Sequence, residues 1–205
     1  MTYHSSVTSE ATEHRHADHE IDPQFLNRWS PRSFKEKPVP DEALYRLFEA
    51  ARWAPSGNNE QPWRYIIART MEDRATFLSF IAPSNAAWCS KAPVLVLVAS
   101  AMINSRGAES RSHAFDAGAA WGYLALEAGR QGLIAHAMGG FERDKARETL
   151  GVPADYALHA VVAIGYRGER EALPEALQAR EQPSSRKPLA ELLHEGRFGA
   201  SISNP

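Results

Sequence analysis

Apolar positions along this chain fall into two periods. Leu44, Leu47, Phe48 and Ala51 repeat at helical spacing and predict a helix from about Asp41 to Trp53. Asp41 follows Pro40 and is placed to cap it, and Pro55 stops it, because the residue before a proline disfavours helical backbone. RYIIAR, Arg64–Arg69, reads as a strand, and a second helix is expected near Met71–Phe80. APVLVLVAS, Ala92–Ser100, is the clearest strand; apolar at consecutive positions, it has to be covered on both faces and so lies centrally. His113 to about Arg130 predicts a long alanine-rich helix with Gly118 and Gly122 inside it. An interior glycine costs about 1 kcal/mol against alanine. Two of them, one turn apart, imply that another helix, a ligand or a partner subunit packs close to the backbone. Leu133–Ala137 reads as a short strand, Arg143–Leu150 as a short helix ended by Gly151, and Ala157–Tyr166 as another buried strand.

Ser79–Trp88 and Ala101–Ser112 lack periodicity and read as loops; the second, polar and carrying Gly107, is a candidate lid. From Arg167 the chain becomes an irregular arm with Pro174, Pro183 and Pro188 and a short helix near Leu189–His194. An arm with so little core of its own suits the surface of a partner subunit. No internal repeat is present. The expected fold class is α+β: one layered domain over residues 21–205 that dimerises.

Composition narrows the function. Of 205 residues 43% are hydrophobic and 23% charged, enough for a core without staples. A net charge of −2 gives no electrostatic case for nucleic acid or an anionic membrane. The single cysteine, Cys89, excludes an internal disulfide and reads as a buried small hydrophobe. Residues 1–20 lack the apolar stretch of a signal peptide, no run approaches the ~20 residues of a membrane helix, and a cytoplasmic protein is expected. Those first residues read as a disordered polar tail. His14, His16 and His19 alternate with charged residues there and read as solvated rather than as metal ligands; no metal is expected.

Three stretches carry candidate chemistry. In RWSPRSF, Arg28–Phe34, the side chains of Arg28, Ser30 and Arg32 face one way if the segment is extended, as Pro31 favours. Two guanidinium forks and a hydroxyl suit a phosphate or other dense anion, although a solvated basic edge has the same pattern. PSSRKPL, Pro183–Leu189, is a second small cluster, with Ser184, Ser185, Arg186 and Lys187. Between them lies APSGNNEQPW, Ala54–Trp63, a loop unusually rich in amide side chains. His136 and His159 sit in apolar runs and read as satisfied core histidines. No serine is recognisably paired with a base.

In this order, with Asp116-x-Gly118, Gly140-Phe141, Ile164-Gly165-Tyr166 and Arg186-x-Pro188-Leu189, the motifs resemble the FMN-dependent nitroreductase family over about Phe25–Gly199. The resemblance implies a layered fold with a central mixed sheet flanked by helices, and a C-terminal arm exchanged across a homodimer with FMN at its interface. It implies Arg28, Ser30 and Arg186 on the flavin phosphate, and Arg32 near the N1/O2 edge. Trp29, bulkier than expected in its place, belongs to the same expected set. Pro55, Ser56, Gly57 and Asn59 would reach the neighbouring subunit's flavin, with Asn85 and Gly139 beside the ring and the Gly140 backbone near N5. Gln61, Pro62 and Trp63 are expected to anchor the loop to the strand. Ser184 stands where some members carry lysine, so phosphate binding leans on Arg28, Arg186 and Lys187. Gly139 stands where some carry glutamate, which leaves the choice between NADH and NADPH open. The implied activity is ping-pong transfer of hydride from NAD(P)H, through flavin N5, to an electron-poor acceptor such as a nitroaromatic or a quinone. Reductive dehalogenation, oxidation of a small substrate, flavin binding without catalysis, and plain phosphate-ligand binding are the alternatives. The APSG start is shared with the dehalogenase branch, whose Glu-Tyr-Asn lid motif is missing.

Overall fold

The computed structural model describes residues 6–202. Its elements in chain order are α1 (Ser9–His14), α2 (Pro23–Asn27), β1 (Phe34–Lys35), α3 (Asp41–Arg52), β2 (Trp63–Ala68), α4 (Met71–Leu78), α5 (Pro83–Cys89), β3 (Val94–Ala101), α6 (His113–Arg130), β4 (Ile134–Met138), α7 (Arg143–Leu150), β5 (Tyr156–Arg167) and α8 (Glu175–Gln178). Short 3-10 turns stand at Gly57–Asn59, Arg170–Ala172 and Leu189–Glu191.

The sheet runs β2-β3-β5, and the far edge of β5 is shared by β4 and β1. Period-two alternation splits β3 between two cores. Leu95, Leu97 and Ala99 enter a cluster with Phe77, Phe80 and Trp88 from the α4–α5 side. Val94, Val96 and Val98 enter a second cluster with Leu44, Leu47, Ala120 and Leu124 from α3 and α6. β5 divides the same way, with Val161 and Ala163 on one side and Val162 and Ile164 on the other. The apolar run is therefore central and covered on both faces, as its composition demands.

Several expectations are corrected. The sheet is antiparallel in every described pairing rather than mixed. β3 and β4 both oppose β5, so they run parallel to each other, joined by the crossover helix α6. Insertion of β5 between them turns one parallel neighbour pair into two antiparallel ones. Asp41 does not cap α3, whose N-cap is Pro40; it is the first helical residue and pairs with Arg69 at 2.6 Å. Part of Ser79–Trp88 is a helix, α5, with Pro83 in its first turn. Nothing among the described residues lies within 4 Å of a Cβ built at Gly118 or Gly122, so none of them makes the close approach the sequence implied. The arm also joins the core, through buried Leu173.

The N-terminal stretch also departs from a disordered tail, although residues 1–5 lie outside the described residues. The Thr8 side chain accepts from the Ala11 N–H to cap α1, Ala11 is buried, and Glu10 ion-pairs with Arg167 at 2.6 Å. One buried alanine and a few polar contacts hold this helix, which leaves no apolar periodicity to read.

Leu97 is fully buried at the centre of β3. Leu97→Ala is expected to lower stability by about 2–5 kcal/mol in urea unfolding. A loss under about 1 kcal/mol contradicts this account of the core.

Candidate functional site

Asp22 caps α2 by accepting from the Gln24 N–H at 2.9 Å, and the helix ends at Arg28. From there the chain lines a cavity of about 290 Å³ together with the C-terminal arm and β4. Arg28, Trp29, Ser30, Arg32 and Arg186 meet in it, as their spacing suggested. Arg15, Arg180, Gln182, Ser184 and His136 join them, and no carboxylate lines it among the described residues. Arg28 Nη1 donates to Ser30 Oγ at 3.4 Å. Burial, then the Arg186 charge, holds the Arg28 guanidinium below its ordinary pKa. Arg32 is lowered by burial and by Arg180, against an opposing pull from Glu181. Glu181 is buried behind the cavity and accepts the backbone N–H groups of Arg32 and Ser33 at 2.9 Å, which fixes the arm to this segment. Arg167 lies over the Trp29 ring, 4.8 Å from its centroid. A donor-only set of partly desolvated, mutually repelling guanidinium groups fits a phosphate dianion, whose charge and oxygens offset both costs.

His136 lines this cavity rather than filling the core. Its Nδ1 lies 3.0 Å from the Pro31 carbonyl, which fixes Nδ1 as the donor, and its ring packs 4.5 Å from Trp88 of α5. Burial, and secondarily Arg32 and Arg28, push its pKa down to about 4, against the pull of the Pro31 bond. The imidazole is therefore neutral at pH 7.

The amide loop is strained. Asn58, Asn59 and Gln61 have φ of 50°, 57° and 47°. Asparagine tolerates this left-handed region, but glutamine rarely enters it. Besides backbone turns, side chains hold the shape: Gln61 N–H donates to Ser56 Oγ at 3.0 Å, and Gly57 N–H to Asp116 Oδ2 at 3.2 Å. Asp116, buried in the first turn of α6, also accepts from Ser112 Oγ at 2.9 Å. A Cβ at Gly57 would sit 2.7 Å from Ser112 Oγ, so only glycine fits there. Glu60 is tied to Ser105 of the polar loop through bonds of 2.8 and 2.9 Å. The side-chain amides of Asn58 and Asn59 make no hydrogen bond among the described residues, and both residues are exposed. Strain that leaves polar groups presented and unpaired is a mark of function.

Within one chain this loop does not meet the arginines; none of Pro55–Asn59 lines their cavity. The loop is anchored at the N-terminal end of α6, whereas Gly129 and Arg130 at its C-terminal end line a cavity with Arg28 and Trp29. At 18 residues, α6 spans about 27 Å.

Asn85 and Gly140 do meet. Asn85 Nδ2 donates to the Gly140 carbonyl at 3.1 Å, and a Cβ at Gly140 would lie 2.6 Å from that nitrogen. Asn85 is thus spent on shaping the turn after β4. Gly139 beside it is exposed. Trp88, three residues after Asn85, links this turn to the cationic cavity through His136.

A serine is in fact paired with bases: Ser100 Oγ lies 2.7 Å from His113 Nδ1 and 2.6 Å from His159 Nε2. Ser100 is fully buried, so the trio satisfies its own polar groups rather than offering a nucleophile. Sequence reading missed it, together with Arg15, Arg180 and the role of Asp116. Their partners are distant in sequence and met only through sheet register and chain closure.

Comparison with known proteins places these features. A model of the nitroreductase family matches residues 26–87 and 74–166. A crystal structure described as an oxidoreductase containing FMN is 42% identical, covers 91% of this chain and 97% of its own, and superposes with a TM-score of 0.87. A Desulfovibrio desulfuricans protein, assigned as a nitroreductase and solved in complex with FMN, is 28% identical over 85% of this chain and 95% of its own, with a TM-score of 0.68. A Thermus thermophilus protein named NADH dehydrogenase is 28% identical over 176 residues, 70% of this chain and 85% of that one.

His136 yields a direct check of the electrostatics. NMR titration of its ring in the ligand-free protein should give a midpoint near 4. A midpoint near the ordinary ~6.5 contradicts the cationic, desolvated setting.

Proposed function

Because the chain belongs to the nitroreductase family, we propose that it is an FMN-dependent oxidoreductase acting between NAD(P)H and an electron-poor small molecule, of nitroaromatic or quinone type. The observation that carries this reading is the arginine-rich cavity, without a carboxylate among the described residues, formed by Arg28, Ser30, Arg32 and Arg186 at the motif positions. When bound, FMN supplies the redox chemistry, accepting a hydride from the nicotinamide and passing it to the acceptor. Arg28, Ser30 and Arg186 hold the phosphate, and Arg32 sets positive charge at the flavin edge where reduction gathers negative charge. Trp29 walls the cavity. Neutral His136 adds bulk and a fixed dipole without competing for a proton. Asn85 fixes the exposed Gly139-Gly140 turn, which would offer backbone rather than a side chain to the ring. One site serves donor and acceptor in turn, hence ping-pong kinetics.

The protein works as a homodimer. The amide loop is anchored at the start of α6, and Arg28 and Trp29 line a second cavity with its last residues, so a two-fold pairing along that helix brings the loop of one copy toward the arginines of the other. Phe115, Gly118 and Gly122 share one face of α6; Phe115 is 83% exposed, and the two glycines leave room for a close neighbour. In the dimer Pro55, Ser56, Gly57 and Asn59 complete the flavin site, and the C-terminal arm, largely exposed beyond Pro183, crosses onto the second copy. Among the described residues no helix is long and apolar enough to cross a membrane, and a reductant such as NAD(P)H suits a cytoplasmic setting.

Arg28→Ala removes a charged fork and should weaken FMN binding about ten- to a hundredfold, read by quenching of flavin fluorescence. Unchanged affinity contradicts the phosphate assignment.

A further inference from the structure

Arg15 is almost fully buried, 7% exposed, yet it has no ion-pair partner among the described residues. Its guanidinium is spent on carbonyls instead. Nη1 donates to Leu26 O and Arg28 O, both at 2.7 Å, and Nε donates to Ser184 O at 3.1 Å. One side chain thus ties three segments together: the N-terminal helix, the start of RWSPRSF, and the PSSRKPL arm. The segment that carries it is fastened in turn. Thr8 N–H donates to Asn27 Oδ1 at 2.8 Å, Asn27 Nδ2 donates to Ser6 O at 3.0 Å, and Glu10 grips Arg167.

This arrangement is costly by itself. A buried charge without a counter-charge is among the least favourable groups in a protein interior. Burial, and after it the like charges of Arg186 and Arg28, push its pKa down to about 10. Arg15 lines the same cavity as both of them. A dianion there would be attracted by all three charges at once and would offset most of their mutual repulsion. Arg15 also lies before residue 26, where the match to the family model begins.

We propose that Arg15 is a phosphate-positioning residue of the cofactor site, with which the N-terminal segment draws Arg28 and the Ser184–Arg186 arm around the FMN phosphate and adds a buried positive charge to those of Arg28 and Arg186. The proposal rests on the FMN reading above. Arg15 acts in two ways: its fork holds the backbone at Arg28 and Ser184, and its charge raises the attraction for a dianion over a neutral ligand.

The test compares FMN with riboflavin, which lacks the phosphate, on refolded or dialysed apoprotein of the full chain. In Arg15→Gln the FMN Kd should rise about tenfold or more while the riboflavin Kd changes less than about twofold, so the FMN-to-riboflavin preference collapses. Arg15→Lys keeps the charge but not the fork to three carbonyls, and should lose at least about threefold of that preference; it serves if the glutamine variant fails to fold. Inorganic phosphate should raise the melting temperature of the wild-type apoprotein more than that of either variant. Equal losses for FMN and riboflavin, or an unchanged preference in both variants, overturn the proposal and leave Arg15 a structural clamp. A wild-type protein that does not prefer FMN to riboflavin overturns the phosphate reading of the cavity itself, a separate failure seen before any variant is made.

Discussion

A strand without a polar face cannot lie at a surface, and β3 is such a strand. Its burial on both sides obliges the chain to supply one helical layer from α3 and α6 and another from α4 and α5. Each Val or Leu fully buried contributes about 1.5–3 kcal/mol, and this strand and its partner β5 supply buried side chains to both clusters. The site follows from that layering. α6 must cross one face of the sheet from β3 to β4, and its two ends become the anchoring points of the amide loop and of a wall beside the arginines. α5, covering the other face, puts Trp88 against His136 and Asn85 against Gly140.

The cationic cavity is the reverse of the core: a place where the fold accepts unfavourable electrostatics. Guanidinium groups are drawn together and partly desolvated, and His136 is held neutral beside them. Carboxylates near at hand are turned to other work, Glu181 to the backbone of Arg32 and Ser33, and Glu10 to Arg167. The cavity lining itself is thereby left without a carboxylate among the described residues. Strain in the amide loop has the same character, since left-handed Asn58, Asn59 and Gln61 are held by Asp116 and Ser56 while two side-chain amides stay unpaired.

Much of the fold was legible because it rests on local periodicity. The extent of α6 could be read from an alanine-rich stretch, and β3 from an apolar run whose one polar position, Ser100, comes near its end. The arginine cluster was legible too, since alternate residues around a proline share a side and the two ends of the chain carry matching charge. What escaped depends on distant partners. The antiparallel sheet follows from β5 inserting between β3 and β4, a matter of long-range register. Arg15 looked like one charge in a polar tail, because its bonds go to backbone carbonyls that no side-chain pattern marks. Asp116 was visible as part of a motif, but its bond to Gly57, 59 residues away, was not. Gly118 and Gly122 signalled a close approach that no described residue makes.

The most direct measurement is the visible absorption spectrum of the purified protein, with any released flavin identified, followed by anaerobic addition of NADH or NADPH. The account predicts a bound flavin that is FMN and that bleaches with at least one nucleotide. A colourless protein that cannot be reconstituted with FMN would contradict it.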